Sequence, residues 1–297
     1  MAPGCRLNLA MKIYNLGSLN IDRVFRVHDF VRPGETLASL SVSELAGGKG
    51  LNQSLALARA GAKAVHVGCV GQDGVFLKEM LSKNGVDTRH VLVKEGMFTG
   101  QAMIQVADSG ENAIVLYAGA NHAITSSMVS QALTEAKGGD VLLLQNETSC
   151  VAEALKFGAA RGLKVVFNPA PMTQEVLEYP LEKVDILIVN EVEAAAISKN
   201  GDLRSRLPNT DVLLTLGSRG SRWLGKDGYE CEVPAHKVEN VVDTTAAGDT
   251  FIGYFLAALT DGKPIETAMR EATAASAWCV ANAGAEPSIP RRTEILG

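Results

Sequence analysis

The sequence lacks the patterns that mark several common classes of protein. Its five cysteines lie far apart and none forms a C-x-x-C pair, so their spacing indicates neither a zinc site nor a disulfide framework. A net charge of -5 gives no basic field for nucleic acid or anionic membranes. No apolar run reaches the roughly 18–20 residues of a membrane-spanning helix. We therefore expect a cytoplasmic protein with reduced thiols that binds neither nucleic acid nor membranes.

Three familiar signals are absent as well. The Gly-rich stretch "AGGKGLNQ" (46–53) does not fit the Walker A pattern G-x-x-x-x-G-K-[ST]. No G-x-G-x-x-G fingerprint follows the first strand-like run, which argues against a dinucleotide-binding Rossmann domain. The first 20 residues contain too short an apolar stretch for a secretory signal. Because Met11 stands directly before a strand-like run, we expect residues 1–10 to be a disordered extension.

Strand-like and helix-like segments alternate along most of the 297 residues. Helix-like segments such as "KGLNQSLALARAG", which ends at Gly61, alternate with apolar strand-like runs. Continuous apolar strands between helices predict a mostly parallel sheet covered on both faces, and we expect one α/β domain over residues 1–297. The strand-like runs are "KIYNLGS", "AKAVHVGCVG", "VLLLQNE", "KVVFNPAP", "VDILIVNE" and "DVLLTLGS".

Two stretches, residues 23–45 and 98–117, interrupt this alternation. The first has short alternating runs around Pro33 and Gly34, and the second is typical of two strands joined by a turn at residues 108–110. We expect these stretches to form a small extra sheet. Because ligands of open α/β folds bind beyond the carboxyl ends of the strands, such a sheet is suited to act as a lid.

The stretch "VVDTTAAGDTFIGYFLAAL" (241–259) places a carboxylate, Asp249, just after a run of small residues at the start of a helix. A helix N-terminus presents unpaired N–H groups and attracts anions. One interpretation is that Asp249 only stabilises the first turn of its helix. The other is that an anionic ligand binds the N–H groups and Asp249 does chemistry beside it.

Two further stretches suit a polar ligand. In "AGGKGLNQ", Lys49 and Asn52 lie one turn apart on the helix that follows two glycines, and a flexible turn with a solvated lysine is the alternative. In "NLGSLNID" (15–22), which we expect to end a strand, alternation puts Asn20 and Asp22 on the same side. A carboxylate beside an amide suits neighbouring sugar hydroxyls, whereas an ordinary turn is the alternative.

Two strand ends nearer the C-terminus suit phosphate. Asn190 and Glu193 in "VNEVEAAA" share a helix face and could hold phosphate through hydrated Mg²⁺, although this stretch taken alone fits a helix N-cap with acids in the first turn better. "LTLGSRGS" (214–221) is either an anion-binding turn or a plain hairpin turn. All these candidates fall at strand ends, where one open α/β site would collect them.

The motifs together resemble the ribokinase-like (phosphofructokinase-B type) family of sugar kinases. "GGKGLNQ" and "DTTAAGDTF" match both family signatures, and "GSLNID", "GAN" (119–121), "NEVEA", "TLGSRG" and "GAEPS" (284–288) match in order. The similarity extends from about Lys12 to Pro290, and "GGKGxNQ" and "NxD" are most similar to the ribokinases. It implies a three-layer α/β sandwich with a small β-sheet lid.

The resemblance implies transfer of the γ-phosphoryl group of ATP to a sugar hydroxyl, with ribose as the expected acceptor. Another pentose, a ketohexose or a nucleoside remains the alternative, as does a catalytically silent sugar-binding homologue. Asp249 would be the base, beside an anion hole made by the N–H groups of Ala246, Ala247 and Gly248. The residues expected to hold the sugar are Asn20, Asp22, Gly48, Lys49, Asn52, Glu147 and Asp249.

The resemblance also implies two metal ions. Nucleotide binding would involve Asn190, Glu193, Thr215, Gly217, Gly220, Gly248 and Asn282, with Glu193 reaching Mg²⁺ through water. The positions that match a K⁺ site are Asp243, Thr245, Cys279, Asn282, Gly284 and Ser288.

Two features depart from the family pattern. The segment at residues 197–210 is shorter than expected for a ribokinase, so a helix near the nucleotide would be missing. Gln101 falls in the lid hairpin, where ribokinases tend to be apolar; if it points inward, the acceptor is not ribose. Its neighbour Ala102 would then point away.

Because a small sheet leaves a face and an edge uncovered, we expect a homodimer built through the lid.

Overall fold

The computed structural model describes residues 11–199 and 201–295. The predicted extension at residues 1–10 lies outside the described residues. The strands are β1 (Lys12–Leu16), β2 (Asn20–Arg26), β3 (Ser41–Gly47), β4 (Lys63–Gly71), β5 (Asp87–Lys94), β6 (Gly100–Val106), β7 (Asn112–Tyr117), β8 (Val141–Gln145), β9 (Lys164–Asn168), β10 (Ile186–Asn190), β11 (Asp211–Thr215), β12 (Ser221–Leu224) and β13 (Glu230–Val233).

The helices alternate with these strands, as the sequence predicted. Gly61 has a φ of 93° just past the end of the first one, which suits the predicted C-terminal glycine. The helices are α1 (Lys49–Arg59), α2 (Val75–Lys83), α3 (Ser126–Leu133), α4 (Val151–Ala160), α5 (Glu191–Ser198), α6 (Leu203–Arg206), α7 (Ala247–Thr260), α8 (Ile265–Val280) and α9 (Arg292–Ile295).

Nine strands form the large sheet in the order β13-β12-β11-β10-β9-β8-β1-β4-β5. The seven strands from β11 to β5 run parallel, and β12 and β13 add an antiparallel edge. The chain proceeds from β1 toward β5 on one side and from β8 toward β13 on the other. The switch in direction therefore lies between β1 and β8, which is where open α/β folds bind ligands.

Hydrophobic layers cover both faces of the large sheet, so the predicted three-layer sandwich is confirmed. Ile13 of β1 packs into the layer with α1, α2, α7 and α8, whereas Tyr14 and Leu16 pack into the layer with α3, α4 and α5. Strands buried on both faces need apolar residues at consecutive positions, which explains the continuous apolar runs in the sequence.

Four strands form the small sheet in the order β3-β2-β6-β7. The prediction that residues 15–22 end a single strand is wrong, because β1 ends at Leu16 and β2 begins separately at Asn20. Gly17 and Gly50 approach so closely that a Cβ on Gly17 would lie 2.5 Å from the Gly50 Cα. This contact with α1 turns the chain out of the large sheet and into the small one.

Residues 201–210, which belong to the short segment noted in the sequence, form little regular structure. One helical turn, α6, lies between α5 and β11. Asp202 begins this turn by accepting hydrogen bonds from the N–H groups of Arg204 and Ser205. Among the described residues, no helix combines the length and apolar character needed to cross a membrane.

Candidate active site

A cleft of about 1080 Å³ opens between the carboxyl ends of the large-sheet strands and the inner face of the small sheet. One end, which we call the deep end, is lined by Asp22, Lys49, Asn52, Glu147 and Asp249. The other, which we call the open end, is lined by Asn190, Glu193, Thr215 and residues 242–246. Side chains from both halves of the sequence therefore meet in one cavity.

Asp249 lies in the first turn of α7 and is 8% exposed. Its Oδ2 accepts a hydrogen bond from Asn52 Nδ2 at 3.1 Å, and its Oδ1 accepts one from Gln53 Nε2 at 2.8 Å. Both amides come from α1, which crosses α7 at close range. A Cβ on Gly253 would lie only 2.4 Å from the Ala56 Cβ, one turn beyond these hydrogen bonds. The glycine thus allows the helix contact that brings Asp249 to the two amides.

The loop before α7 has an unusual backbone. Ala246 adopts a left-handed conformation with φ of 59° at the start of the helix. The first N–H groups of α7 have no acceptor within the helix itself. The N–H of Ala247 donates to Thr244 O at 3.3 Å, whereas Gly248 is exposed and lines the cleft. The proposed anion hole is therefore open at Gly248 and partly engaged at Ala247.

Asp22 projects from β2 across the backbone of β3. A Cβ on Gly47 would lie 1.9 Å from Asp22 Oδ2, so only glycine leaves room for this carboxylate. Asn20 is held on the same face by Asn121, whose Nδ2 donates to Asn20 Oδ1 at 2.8 Å. The predicted pairing of Asn20 with Asp22 on one side is confirmed by the cleft lining.

Glu147 follows β8 and joins the two elements at the deep end. Its Oε2 accepts hydrogen bonds from Ser18 Oγ and from the backbone N–H of Lys49, the latter at 3.0 Å. Gly48 precedes Lys49 with a φ of 94°, a conformation that glycine adopts readily. Sugar-binding candidates from three separate parts of the sequence are therefore adjacent.

The deep end concentrates negative charge around one lysine. Burial, together with the nearby Glu147 carboxylate, raises the pKa of Asp22 to about 7. Burial also raises the pKa of Glu147, although the Lys49 ammonium opposes that change. The Asp249 carboxylate raises the pKa of Lys49 and so keeps this side chain charged. The result is a polar pocket with one fixed cation, suited to a hydroxyl-rich ligand.

At the open end, Asn190 and Glu193 form a reciprocal helix cap. Asn190 Oδ1 accepts from Glu193 N at 2.8 Å, and Glu193 Oε2 accepts from Asn190 N at 2.9 Å. The alternative that the sequence left open is therefore present. Both residues also line the cleft, so capping and ligand binding are compatible here.

The remaining nucleotide candidates differ in their positions. Thr215 lines the cleft at the end of β11, and Gly217 has a φ of 58° with open space around it. A Cβ on Gly220 would lie 2.1 Å from Val233 O, so packing against the end of β13 already requires glycine there. The side chain of Asn282 donates to Trp278 O at 2.8 Å and does not line the cleft.

The positions that match a K⁺ site lie together behind the loop of α7. Asp243 Oδ1 accepts from Thr245 N at 2.9 Å, and its Oδ2 accepts from Gly284 N at 3.0 Å. The Cys279 thiol donates to Thr245 O at 3.4 Å and lies 2.9 Å from Ser288 Oγ. These bonds connect the loop before α7 to the loop after α8.

Gln101 does not point into the cleft. Its Oε1 accepts a hydrogen bond from Arg23 Nη1 at 2.8 Å on the opposite face of the small sheet. Ala102, opposite Asp22 in the sheet register, lines the cleft instead. The inward position of this hairpin is therefore small and apolar, and the apparent departure from the family pattern disappears.

Sequence reasoning missed several residues around Asp249. Gln53 lies in the motif "GGKGLNQ", and Gln145 and Asn168 lie in predicted strands, but none of the three is among the predicted site residues. Each of the last two is a buried amide that ends a run of apolar residues at the carboxyl end of a strand. A polar residue at that position in a buried parallel strand is the signal that could have identified them.

Comparison with known proteins agrees with this geometry. Residues 11–292 match the family model described as pfkB family carbohydrate kinase. The ribokinase of Haemophilus influenzae is 38% identical over 296 residues, covering 95% of this chain and 96% of that protein. These similarities confirm the resemblance that the motifs indicated.

Solved structures lead to the same group. A ribokinase from Cryptococcus neoformans in complex with ADP superposes with a TM-score of 0.86 at 34% identity, covering 97% of this chain and 99% of that one. An Arabidopsis thaliana ribokinase complexed with ribose and ATP gives a TM-score of 0.83 at 28% identity, covering 96% and 97%. The described chain thus has the predicted fold throughout. By sequence, fold and site, this protein belongs to the pfkB family of carbohydrate kinases.

Proposed function

We propose that this kinase transfers the γ-phosphoryl group of ATP to a hydroxyl of ribose, forming ribose 5-phosphate. The observation that carries the proposal is the position of Asp249, between the sugar-binding candidates of the deep end and the helix N-terminus that faces the open end. The solved relatives that contain ribose with ATP, or ADP, support these ligands. The apolar position at Ala102 is compatible with a ribose ring.

Asp249 acts as the general base in this proposal. It takes the proton of the attacking hydroxyl, whose oxygen forms a bond to the γ-phosphorus while the bond to the β-phosphate oxygen breaks. The N–H groups at residues 246–248 and the positive end of the α7 dipole stabilise the charge on the transferred group. Phosphoryl transfer depends mainly on such positioning and charge stabilisation.

The sugar binds at the deep end. Asp22 and Asn20 accept and donate hydrogen bonds to neighbouring hydroxyls, and Lys49, Asn52 and Glu147 complete the pocket. Gly48 lets the backbone approach the sugar closely. Charge-assisted hydrogen bonds from buried carboxylates are strong, so this end is suited to select a polyhydroxylated ligand.

The nucleotide and its metal ions bind at the open end. Asn190, Glu193, Thr215, Gly217 and Gly248 face the phosphates. Glu193 would hold Mg²⁺ through water, and the ion would supply positive charge to the phosphates. Gly220 supports the turn. Asn282 contributes through its backbone, since its side chain is turned away.

The residues near Asp243 suit K⁺, because they offer oxygen ligands: backbone carbonyls such as that of Thr245, the Ser288 hydroxyl and the Asp243 carboxylate. Asp243 and Thr245 come from the loop before α7, Cys279 from the end of α8, and Asn282, Gly284 and Ser288 from the segment that follows α8. Among residues 11–199 and 201–295, His, Cys, Asp and Glu side chains do not cluster in threes as a transition-metal site would require. Either ion would therefore depend on backbone or substrate oxygens.

A homodimer is part of the proposal. The face of the small sheet that points away from the cleft exposes Val42, Met103, Val115 and Tyr117 to between 46% and 66%. Exposed apolar side chains on an edge-bearing sheet suit a second copy of the chain. Sedimentation velocity tests this directly: a monomer at high protein concentration would rule the dimer out. We also propose a cytoplasmic location, where ATP is available.

The decisive test is the Asp249→Asn variant, assayed with ATP, Mg²⁺ and a panel of pentoses, ketohexoses and nucleosides. The amide keeps the shape but cannot accept the proton, so kcat with ribose should fall by about 10²–10⁴. Calorimetry should show nearly unchanged ribose binding. Near-normal turnover in the folded variant would refute the assignment of the base, and a preferred acceptor other than ribose would replace the proposed substrate.

A further inference from the structure

A chain of buried amide side chains lies directly behind Asp249. Asn15 is the penultimate residue of β1, and Gln145 and Asn168 end the neighbouring strands β8 and β9. Gln53 reaches them from α1. All four are at most 7% exposed. Asn15 and Gln145 meet across the switch point of the large sheet, immediately under the cleft.

On the β1 side, one backbone carbonyl determines the orientation of these amides, that is, which of their atoms donate and which accept. Gly50 O can only accept, so the Nδ2 of Asn15 faces it at 2.8 Å and the Asn15 Oδ1 faces Gln145. Gln145 must then donate, and its Nε2 lies 2.8 Å from Asn15 Oδ1 and 2.6 Å from Gln53 Oε1. Because its oxygen is held by this donor, Gln53 is left with its Nε2 toward Asp249.

On the β9 side, a second backbone carbonyl determines the same orientation of the Gln53 amide. Ile188 O accepts from Asn168 Nδ2 at 3.0 Å, which turns the Asn168 Oδ1 toward Gln53. Gln53 Nε2 lies 3.4 Å from this oxygen and 2.8 Å from Asp249 Oδ1. Two independent anchors therefore oblige Gln53 to present a donor, never its oxygen, to the carboxylate.

We propose that Gln53 and Gln145 are positioning residues that fix the proton-accepting oxygen of Asp249. Gln53 occupies Oδ1 permanently from inside the protein. Oδ2, which Asn52 contacts from the lining of the cleft, is then the oxygen that receives the hydroxyl proton. Gln145 acts one step away by fixing the sense of the Gln53 amide. The inference rests on the proposed role of Asp249 as the base.

Other titratable groups face the same region, so variants compared in a pH experiment must all carry the same set of them. Lys49 on α1, Glu147 after β8 and Glu193 on α5 are coupled through their charges, and Asp243 and Cys279 approach from the side of α8. None of them is altered by changing an amide. Differences between variants that carry the same set of these groups therefore report on Asp249.

The first test replaces Gln53 with methionine, which has a similar length but no donor. We expect kcat at saturating ribose and ATP to fall about tenfold, and the ribose KM to change by less than about twofold. The acidic limb of the kcat profile should move up by about one pH unit, since a carboxylate that loses a donor keeps its proton to a higher pH.

The second test follows the path to Gln145. Gln145→Met should produce a smaller change of kcat and of the acidic limb in the same direction. The Gln53→Met/Gln145→Met double variant should show no further shift beyond Gln53→Met alone, because the effect passes through one amide. Additive shifts would overturn the role of Gln145. If Gln53→Met does not fold, Gln145→Met alone must show the shifted limb.

The matched control is Ser54→Ala, which removes a buried member of the same network on the branch away from Asp249. Ser54 Oγ accepts from Asn15 and lies 2.8 Å from His66 Nδ1, a group whose pKa burial lowers to about 4. This variant should lower the thermal midpoint but leave the acidic limb unmoved.

The Asp249→Asn variant distinguishes failure of the proposed base from failure of the proposed positioning role of Gln53. If Asp249→Asn is inactive and folded Gln53→Met keeps the wild-type limb, the positioning role alone is refuted. If Asp249→Asn retains turnover, the base assignment fails and the positioning role fails with it. An inactive Asp249→Asn together with a shifted Gln53→Met limb supports both.

Discussion

The deep and open ends of the cleft are built by different means. At the deep end, the Asp249 and Glu147 carboxylates accept hydrogen bonds from protein donors, and Asn20, Asn52 and Asp249 are at most 8% exposed. At the open end, Val242 lines the cleft and is 56% exposed. The deep end is therefore organised before any ligand arrives, whereas the open end leaves an apolar side chain exposed.

This contrast follows from what supports each end. The deep end lies on the strand ends of the large sheet and on α1 and α7, which pack in the hydrophobic layer. The open end depends on the loops at residues 234–246 and 281–285. Side chains on packed helices and strands hold their geometry more tightly than loop residues do. Changes at the deep end should therefore have large and specific effects, and changes at the open end should depend on the ions and nucleotide present.

Among the variants that compare ligand binding at the two ends, Asp22→Ala at the deep end is expected to have the largest effect. Loss of a carboxylate that accepts hydroxyl hydrogen bonds should weaken ribose binding about 10–100-fold, the equivalent of ~1.5–3 kcal/mol. Affinity for a nucleotide analogue should stay constant in titration calorimetry. Arg23→Ala, at the next position but on the outer face of the sheet, is the matched control. Equal losses for both ligands in Asp22→Ala would contradict the division of the cleft.

Gly253→Ala tests whether the deep end depends on the close contact of α1 and α7. The added Cβ meets Ala56 and the backbone N of Leu57, so we expect a loss of about 1–3 kcal/mol in the free energy of unfolding and a lower kcat. Gly138→Ala provides the control, since a Cβ there meets no atom within 4 Å. Urea titration and kinetics would measure both. A fully stable and active Gly253→Ala would show that the contact does not matter.

Lowering the pH should weaken sugar binding through Asp22. Its pKa, raised to about 7, means that it takes up a proton as the pH falls through 7, and the neutral acid is a poorer acceptor. Ribose affinity should fall about tenfold per pH unit below that value. Asp22→Asn should bind ribose more weakly than wild type, and its affinity should not change between pH 6 and 8.

The same shift has a consequence for stability. An acid with a raised pKa in the folded state favours folding at pH below about 4 and loses that contribution as the pH rises through about 7. Without ligand, Asp22→Asn should therefore have a higher thermal midpoint than wild type at pH 8, by about 2–4 °C. A lower midpoint at pH 8 would show that the Asp22 carboxylate is not penalised by burial.

The smallest effect is expected at the open end. If K⁺ binds between the two loops joined by Asp243, the rate in KCl should exceed the rate in NaCl by a few-fold, on the order of 1 kcal/mol, at equal ionic strength. Asp243→Ala should remove most of that difference. The enzyme must be stripped of K⁺ beforehand. Identical rates in the two salts would remove the metal site from the proposal.

The sequence predicted the fold correctly, and many of its site candidates line one cleft, because those features have local signatures. Buried parallel strands require apolar runs, and Gly61 marks the end of α1. The motif around Asp249 combines small residues, a helix start and a carboxylate within ten positions. Asn20 and Asp22 were placed on one face by simple alternation, and the structure agrees.

What the sequence could not give was the direction of side chains that depend on distant partners. Gln101 was a candidate to face the sugar, but Arg23 holds it on the outer face. Asn282 was expected at the nucleotide, but its amide turns to the end of its own helix. The beginning of β2 was missed because the contact between Gly17 and Gly50 is 33 residues apart in the chain.

The sequence by itself therefore determined the α/β layering, the family and the residues that gather at the strand ends. Only the tertiary structure decided which of those residues support one another. The amides of Asn15, Gln53, Gln145 and Asn168 are ordinary polar residues in their own segments. They become one hydrogen-bonded chain behind Asp249 because the sheet brings three strand ends side by side and α1 crosses above them. Hydrogen-bond direction is fixed by partners in space, and no local pattern in the sequence records it.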